Sequence, residues 1–252
     1  MPRDQNNGAS LEDEISLQSQ SHTGSSGQAE EERATLTFQM NQLSSKAMDH
    51  IQRTSRGDAA YSEAAVIIDE ATALDADHAR SISPSPASRM SQGYEISLSS
   101  IGESVHYNTM LSTIHNLYRA ARVVLHEIRL RCATELNSHN ARARAPREPT
   151  YDMYVWESAS TVRVVSEDIR NSIGPILGDV DGHGFVDSGP LRPGILAEAY
   201  LLQWPLLVMR LATCTTKEQR EVAAGTLDRI GTQFGIKQAH ELVRSHKSLF
   251  GG

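Results

Sequence analysis

Apolar side chains recur along this chain at the spacing of helices, and that periodicity divides it into segments. Leu36, Met40, Leu43, Ala47 and Ile51 mark one face of a first helix. Tyr61, Ala65, Ile68, Ala71 and Leu74 mark a second. The pattern stops in SISPSPASRMSQG, Ser81 to Gly93, whose serines and prolines predict a linker. The longest predicted helix runs from about Val105 to Leu136. Its stripe is Leu117, Ala121, Val124, Ile128 and Cys132, with Arg119, Arg122 and Arg129 offset from it. ARARAPREP ends it, because arginines and prolines do not continue a buried stripe.

A further helix is predicted over Ser158 to Leu177 through Val162, Val165, Ile169 and Ile173. From Leu196 to Cys214 the chain is apolar almost all round. That predicts a helix buried on most sides, with Tyr200, Trp204 and Met209 as core. Pro205 inside it removes one backbone hydrogen bond and predicts a kink. Thr215 and Thr216, with Glu218 and Gln219 three residues on, form a capping-box pattern for the next helix. Its stripe is Val222, Ala223, Leu227 and Ile230, and Gly231 reads as the glycine that stops it. A last short helix spans Gly235 to about His246. No segment alternates with period two over a useful length and hairpin turns are missing, so the predicted class is all-α.

Charge sharpens the domain plan. Residues 1–34 hold seven acids against two arginines among many Ser, Gln, Asn and Gly, and carry −5 of the net −7. Such a stretch buries too little apolar surface to offset the entropy of ordering it, so a disordered acidic tail is expected. Leu11, Ile15 and Leu17 among Glu12, Asp13 and Glu14 give it the acidic-hydrophobic mix of an activation segment. The plan is then a helical segment at 35–80, a Ser/Pro linker at 81–100 and a helical domain at 101–250. The body is close to neutral and lacks a basic face, which argues against direct nucleic-acid contact. Its most apolar run, AYLLQWPLLVMRLA, is interrupted by Gln203 and Arg210 and is shorter than a membrane span of about 20 residues. With no secretory signal visible, a soluble intracellular chain is expected. Cys132 and Cys214, isolated in apolar helical patterns, predict buried thiols and no zinc site or disulfide.

Candidate chemistry is sparse. His126 and Glu127 in HEIRL open like a zinc-protease helix, but position 130 is Leu where a second His is needed. His115 and His126 share a face, with no third ligand in register. No nucleophile elbow, phosphate-cradling loop or dinucleotide fingerprint occurs, so neither an enzyme, nor a cofactor, nor a metal site is expected. DVDGHGFVDSGP, Asp179 to Pro190, places Asp179, Asp181, Gly184 and Asp187 at calcium-loop positions 1, 3, 6 and 9, with Val186 at position 8. Position 12, however, is Pro190 where a bidentate Glu belongs, and position 5 is His183. Calcium binding through 179–190 is the weaker alternative to a plain surface loop.

Several stretches carry a resemblance. NLYRAARVVLHEIRL, Asn116 to Leu130, resembles the Tyr-Arg-Ala-Ala-Arg helix in the regulatory region of fungal-specific transcription factors, at Tyr118, Arg119 and Arg122. LLQWPLLVMRLATCTTKEQREVAAGTLDRIGTQFGIKQAHEL looks like that family's C-terminal signature, at Trp204, Pro205, Gly231, Gly235 and Gln238 among others. IRNSIGPILG and AAVIIDEATALDAD are similar to two further segments, with Arg170 in place of a family cysteine and Pro175 shifted by one. The resemblance covers about residues 35–246.

Members of that family begin with a six-cysteine zinc cluster that enters the DNA major groove. Two cysteines cannot build it. The resemblance therefore implies an all-helical regulatory and interaction domain, in the nucleus (otherwise the cytoplasm), without a DNA-binding module of its own and in that sense a truncated form. Its implied partners are proteins, a zinc-cluster transcription factor or itself, and a small effector, for which helices stacked around Trp204 and the kink at Pro205 could supply an apolar pocket. The alternative is a helical protein-interaction scaffold without a transcriptional role.

Overall fold

The computed structural model describes residues 35, 36, 38–54, 61–82, 101–142, 149–179 and 194–244. The chain divides into two units, Met1–Gln39 and Met40–Gly252. In the first, residues 35, 36, 38 and 39 are helical, and the predicted acidic tail lies outside the described residues. The second unit contains seven helices and no strand among its described residues, so the chain is all-helical as the periodicity predicts. They are α1 (40–54), α2 (Tyr61–Ile82), α3 (Ile101–Arg142), α4 (Pro149–Leu177), α5 (Ile195–Leu211), α6 (Lys217–Gln233) and α7 (Lys237–Arg244).

The 42-residue α3 is the axis. α2, α4 and α5 pack along it, α4 most extensively, while α6 covers α4 and α5 and α7 covers α6. Helices on three sides bury almost every residue from Ala120 to Ala133, including Leu125, Ile128 and Cys132. A second cluster joins Ile169, Ile173, Ile176 and Leu177 of α4 to Ala199, Leu202, Leu206 and Met209 of α5 and to Ala223, Leu227 and Ile230 of α6.

Local signals set the ends. Thr216 caps α6: its hydroxyl accepts from the Gln219 amide at 3.1 Å, and the Gln219 side chain accepts from the Thr216 amide at 3.0 Å. This is the capping box read from the sequence, with Gln219 as its second member. Leu177 closes α4 ahead of Gly178 at φ 74°, and the Asp179 amide reaches back to the Gly174 carbonyl at 2.8 Å. The left-handed glycine lets the chain reverse without a Cβ clash.

Other boundaries move. α4 begins at Pro149, nine residues before the predicted Ser158, because proline suits a first helical position. Its opening turns show their apolar residues Met153 and Trp156 to solvent, which hides the stripe from a periodicity reading. α5 ends at Leu211, so Cys214 lies in the turn to α6 and is only partly buried. α6 runs past Gly231 to Gln233, and Gly235 at φ 71° is the left-handed residue after it. α2 runs on to Ile82; the rest of the Ser/Pro linker and ARAPRE lie outside the described residues. No described helix is long and apolar enough to cross a membrane.

Candidate functional site

Two features stand out: a buried polar layer around α3 and an uncovered apolar face on α5. The layer begins at Asp75 of α2. Its carboxylate accepts Nε and Nη2 of Arg122 at 2.7 and 3.2 Å, and Nε2 of His126 lies 3.2 Å from it. Burial alone would raise the Asp75 pKa, but the hydrogen bonds from His126 and Arg122 outweigh it and hold the carboxyl well below the usual range. Nδ1 of His126 faces Oγ of Ser158 at 3.5 Å, and that hydroxyl accepts Nε of Arg129 at 2.9 Å. Arg129 pairs with Glu157 and lies over the ring of Tyr154. A guanidinium that is almost wholly buried needs such partners, since losing water without them is costly.

Ser158, His126 and Asp75 therefore fall in one line, the residue types of a hydrolytic triad. Ser158 is fully enclosed and already engaged by Arg129, so in this conformation the line joins α2, α3 and α4 and no substrate reaches the hydroxyl. Two further knots extend it. Fully buried His50 of α1 faces Glu63 of α2 through Nδ1 at 3.3 Å and Glu135 of α3 through Nε2 at 3.4 Å. Fully buried Glu127 accepts the amide of Thr213 at 3.1 Å and its hydroxyl at 2.8 Å, bolting the end of α5 to α3.

The signature residues divide among these features. Arg122 belongs to the polar layer, so its guanidinium, expected off the stripe, is a link between helices. Arg119 donates to Asn116 at 2.9 Å, which in turn donates to Ser172 of α4 at 2.7 Å. Tyr118 meets His78 edge-on, with ring centroids 6.0 Å apart. Burial lowers the pKa of His78. Gly231 is buried where α7 crosses α6, and Gln238 is exposed. Of the two histidines on one face of α3, His126 is buried and His115 exposed.

The α5 residues break the core expectation. Met209 is fully buried, but Tyr200 is 55 % and Trp204 44 % exposed, beside Leu196 at 57 % and Leu201 at 40 %. α3, α4 and α6 cover one side of α5 and leave the other open. The buried side reads Ile195, Ala199, Leu202, Leu206 and Met209, with steps of four, three, four and three. The open side reads Ala197, Tyr200, Trp204, Leu207 and Leu211, with steps of three, four, three and four. α5 thus carries two seams of the spacing with which helices interlock, and its own fold uses one of them. Leu196 and Leu201 flank the open seam, which holds no charged residue. Pro205 points into the core between them, and the helix continues through it.

Asp179, the first position of the calcium-like loop, binds Arg229 of α6 in a two-pronged ion pair at 2.6 Å on each oxygen. The other loop residues with ligand or key positions, Asp181, His183, Gly184, Val186, Asp187 and Pro190, lie outside the described residues. Among the described residues no group of three His, Cys, Asp or Glu is placed to hold a metal ion. No family model, no curated protein and no solved structure matches this chain.

Proposed function

We propose that this chain is a regulatory and interaction domain of the fungal-specific transcription-factor type, acting on transcription through protein partners and without a zinc cluster of its own. The observation that carries the reading is the open seam of α5. It lies on the helix that bears the Leu-Leu-x-Trp-Pro-Leu resemblance, and Trp204 is at its centre. A helix whose outward face is apolar over four turns gains by covering that face, because each exposed apolar group stays in contact with water until another molecule displaces it. The aromatic and leucine content of the seam suits a protein partner, since Tyr and Trp supply large contact areas at small entropic cost. Its site of action is the nucleus.

Tethering tests this. The full chain, fused to a heterologous DNA-binding domain in a fungal host, is expected to change expression of a reporter placed beside the cognate site. Tyr200→Lys is expected to abolish the effect at equal protein level. A tethered chain that leaves the reporter unchanged while still capturing proteins through α5 would replace this reading with that of a scaffold without a transcriptional role.

A further inference from the structure

We propose that α1 is a proton-dependent latch, docked on α2 and α3 while one proton is held between His50 and Glu135 and released when rising pH removes it. The stripe that α1 turns inward is Leu43, Ala47 and His50, with steps of four and three. Leu43 and Ala47 are the apolar side chains it buries, while Met40, Met48 and Ile51 are half-buried. The third core position is an imidazole with no exposure at all. So small an apolar contact leaves the polar one to decide whether the helix stays. Its other ties, Lys46 to Glu70 and Arg53 to Glu63, join partly exposed side chains that water and salt screen.

The geometry around the ring requires the proton. Arg53 holds the Glu63 carboxyl below its usual range, so Nδ1 of His50, 3.3 Å from it, faces a carboxylate and carries a hydrogen toward it. Nε2 then faces Oε1 of Glu135 at 3.4 Å, and neither atom has another partner among the described residues. Without a proton between them, a buried lone pair meets a buried carboxylate charge. With one, the contact becomes a hydrogen-bonded pair. The proton belongs to the pair, whether nitrogen or oxygen carries it.

The other titratable groups around this knot are Arg53 on α1, Glu63 and Tyr61 on α2, and Cys132 and His139 on α3. Arg53 and Glu63 form their own ion pair, and the Cys132 thiol, raised by burial, stays neutral. His139, stacked on Tyr61, is the neighbour that a test must control for.

The sign follows from linkage. A released α1 leaves His50 and Glu135 in water, where the histidine gives up its proton above about pH 6.5. Docking is therefore complete below that pH and weakens as the pH rises above it. The direction is opposite to that of His78, whose pKa burial lowers.

Hydrogen exchange of the full chain at about pH 6 and about pH 8.5, read as protection factors, is the test, because these divide out the intrinsic effect of pH on exchange. Protection of the α1 amides is expected to fall about five- to a hundredfold over this range, the effect of stranding one buried acceptor. Protection of α6 in the same sample is expected to hold. In Glu135→Gln the carboxamide can donate to the imidazole without an added proton, so α1 protection should be equal at both pH values. His50→Gln should likewise remove the dependence. Should His50→Gln lose α1 protection altogether, Glu135→Gln carries the test. His139→Gln should leave the fall as it is in the wild type. The proposal is overturned by α1 protection that does not change with pH in the wild type, or by a fall that persists in Glu135→Gln. A fall that disappears in His139→Gln, or that α6 shares in full, overturns it equally.

Discussion

The imidazole of His240 lies against Gly231 so closely that a Cβ at position 231 would meet its ring atoms at 2.7 Å. This contact, and no helix end, explains the glycine: α7 crosses α6 at a point with no side chain. His240 also reaches Asp228 at 3.3 Å, so the ring has a reason to stay. Alanine favours a helix interior over glycine by about 1 kcal/mol. In a His240→Ala background, Gly231→Ala should therefore stabilise the chain by up to about that amount. With His240 present the gain should be cancelled or reversed. Urea unfolding of the four members of the cycle measures the coupling; additive effects would show that the ring moves aside freely.

Acid should weaken the fold in two steps. His78, its pKa lowered by burial, resists a proton that the unfolded chain accepts. Stability is then whole above the ordinary histidine value of about 6.5 and falls as the pH drops below it. Asp75, held low by His126 and Arg122, contributes stability that is present above about pH 4 and lost on further acidification. Thermal melts across this range should show both limbs. His78→Gln should remove the upper one. Asp75→Asn should flatten the lower and cost about 2 kcal/mol at neutral pH.

The two thiols should differ in reactivity. Burial pushes the Cys132 thiol up to about 12, and the side chain is fully enclosed by the helices around α3. Cys214, in the turn after α5, is raised by burial to a lesser extent and is partly accessible. A disulfide reagent at pH 8 should modify Cys214 slowly in the native chain and Cys132 only after unfolding. Fast labelling of Cys132 in the native state would mean that the helices around α3 open readily.

Arg229 holds Asp179 at the start of the loop, and the pair raises the Arg229 pKa. Both partners are more than a third exposed, so Arg229→Ala should cost less than about 1 kcal/mol. With its first carboxylate engaged and Pro190 at the closing position, the loop should release no heat on titration with millimolar calcium, in the wild type or in the variant. A saturable calcium isotherm would reinstate the calcium-loop alternative.

The helices around α3 and α6 are legible because local rules suffice for them. A stripe recurs every three or four residues, and Thr216 and Gln219 are neighbours in sequence as well as in space. The polar layer is not legible, because its bonds join residues 28 to 51 positions apart, as in Arg129 to Glu157 and Asp75 to His126. No local pattern distinguishes Arg129 as a buried link from Arg129 on a solvated face. Gly231 carries the sequence signal for a stop, and only the crossing of α7 shows that its place is inside the helix, with Gly235 as the left-handed residue beyond it. For α5, all-round apolarity predicts burial on every side, whereas the fold covers one side and leaves Tyr200 and Trp204 on the other exposed.

The polar layer also works as an index mark. Leucine and alanine stripes look much the same after a slip of one turn, about 5.4 Å along the axis, so packed apolar helices tolerate more than one register. Asp75, Arg122, His126, Ser158 and Arg129 do not: displacing α3 by that distance strips every one of them of its partner at once. The buried charges favour the native alignment, in which these five side chains all keep their partners. Through the bolt from Glu127 to Thr213, the same alignment fixes where the outer face of α5 is presented.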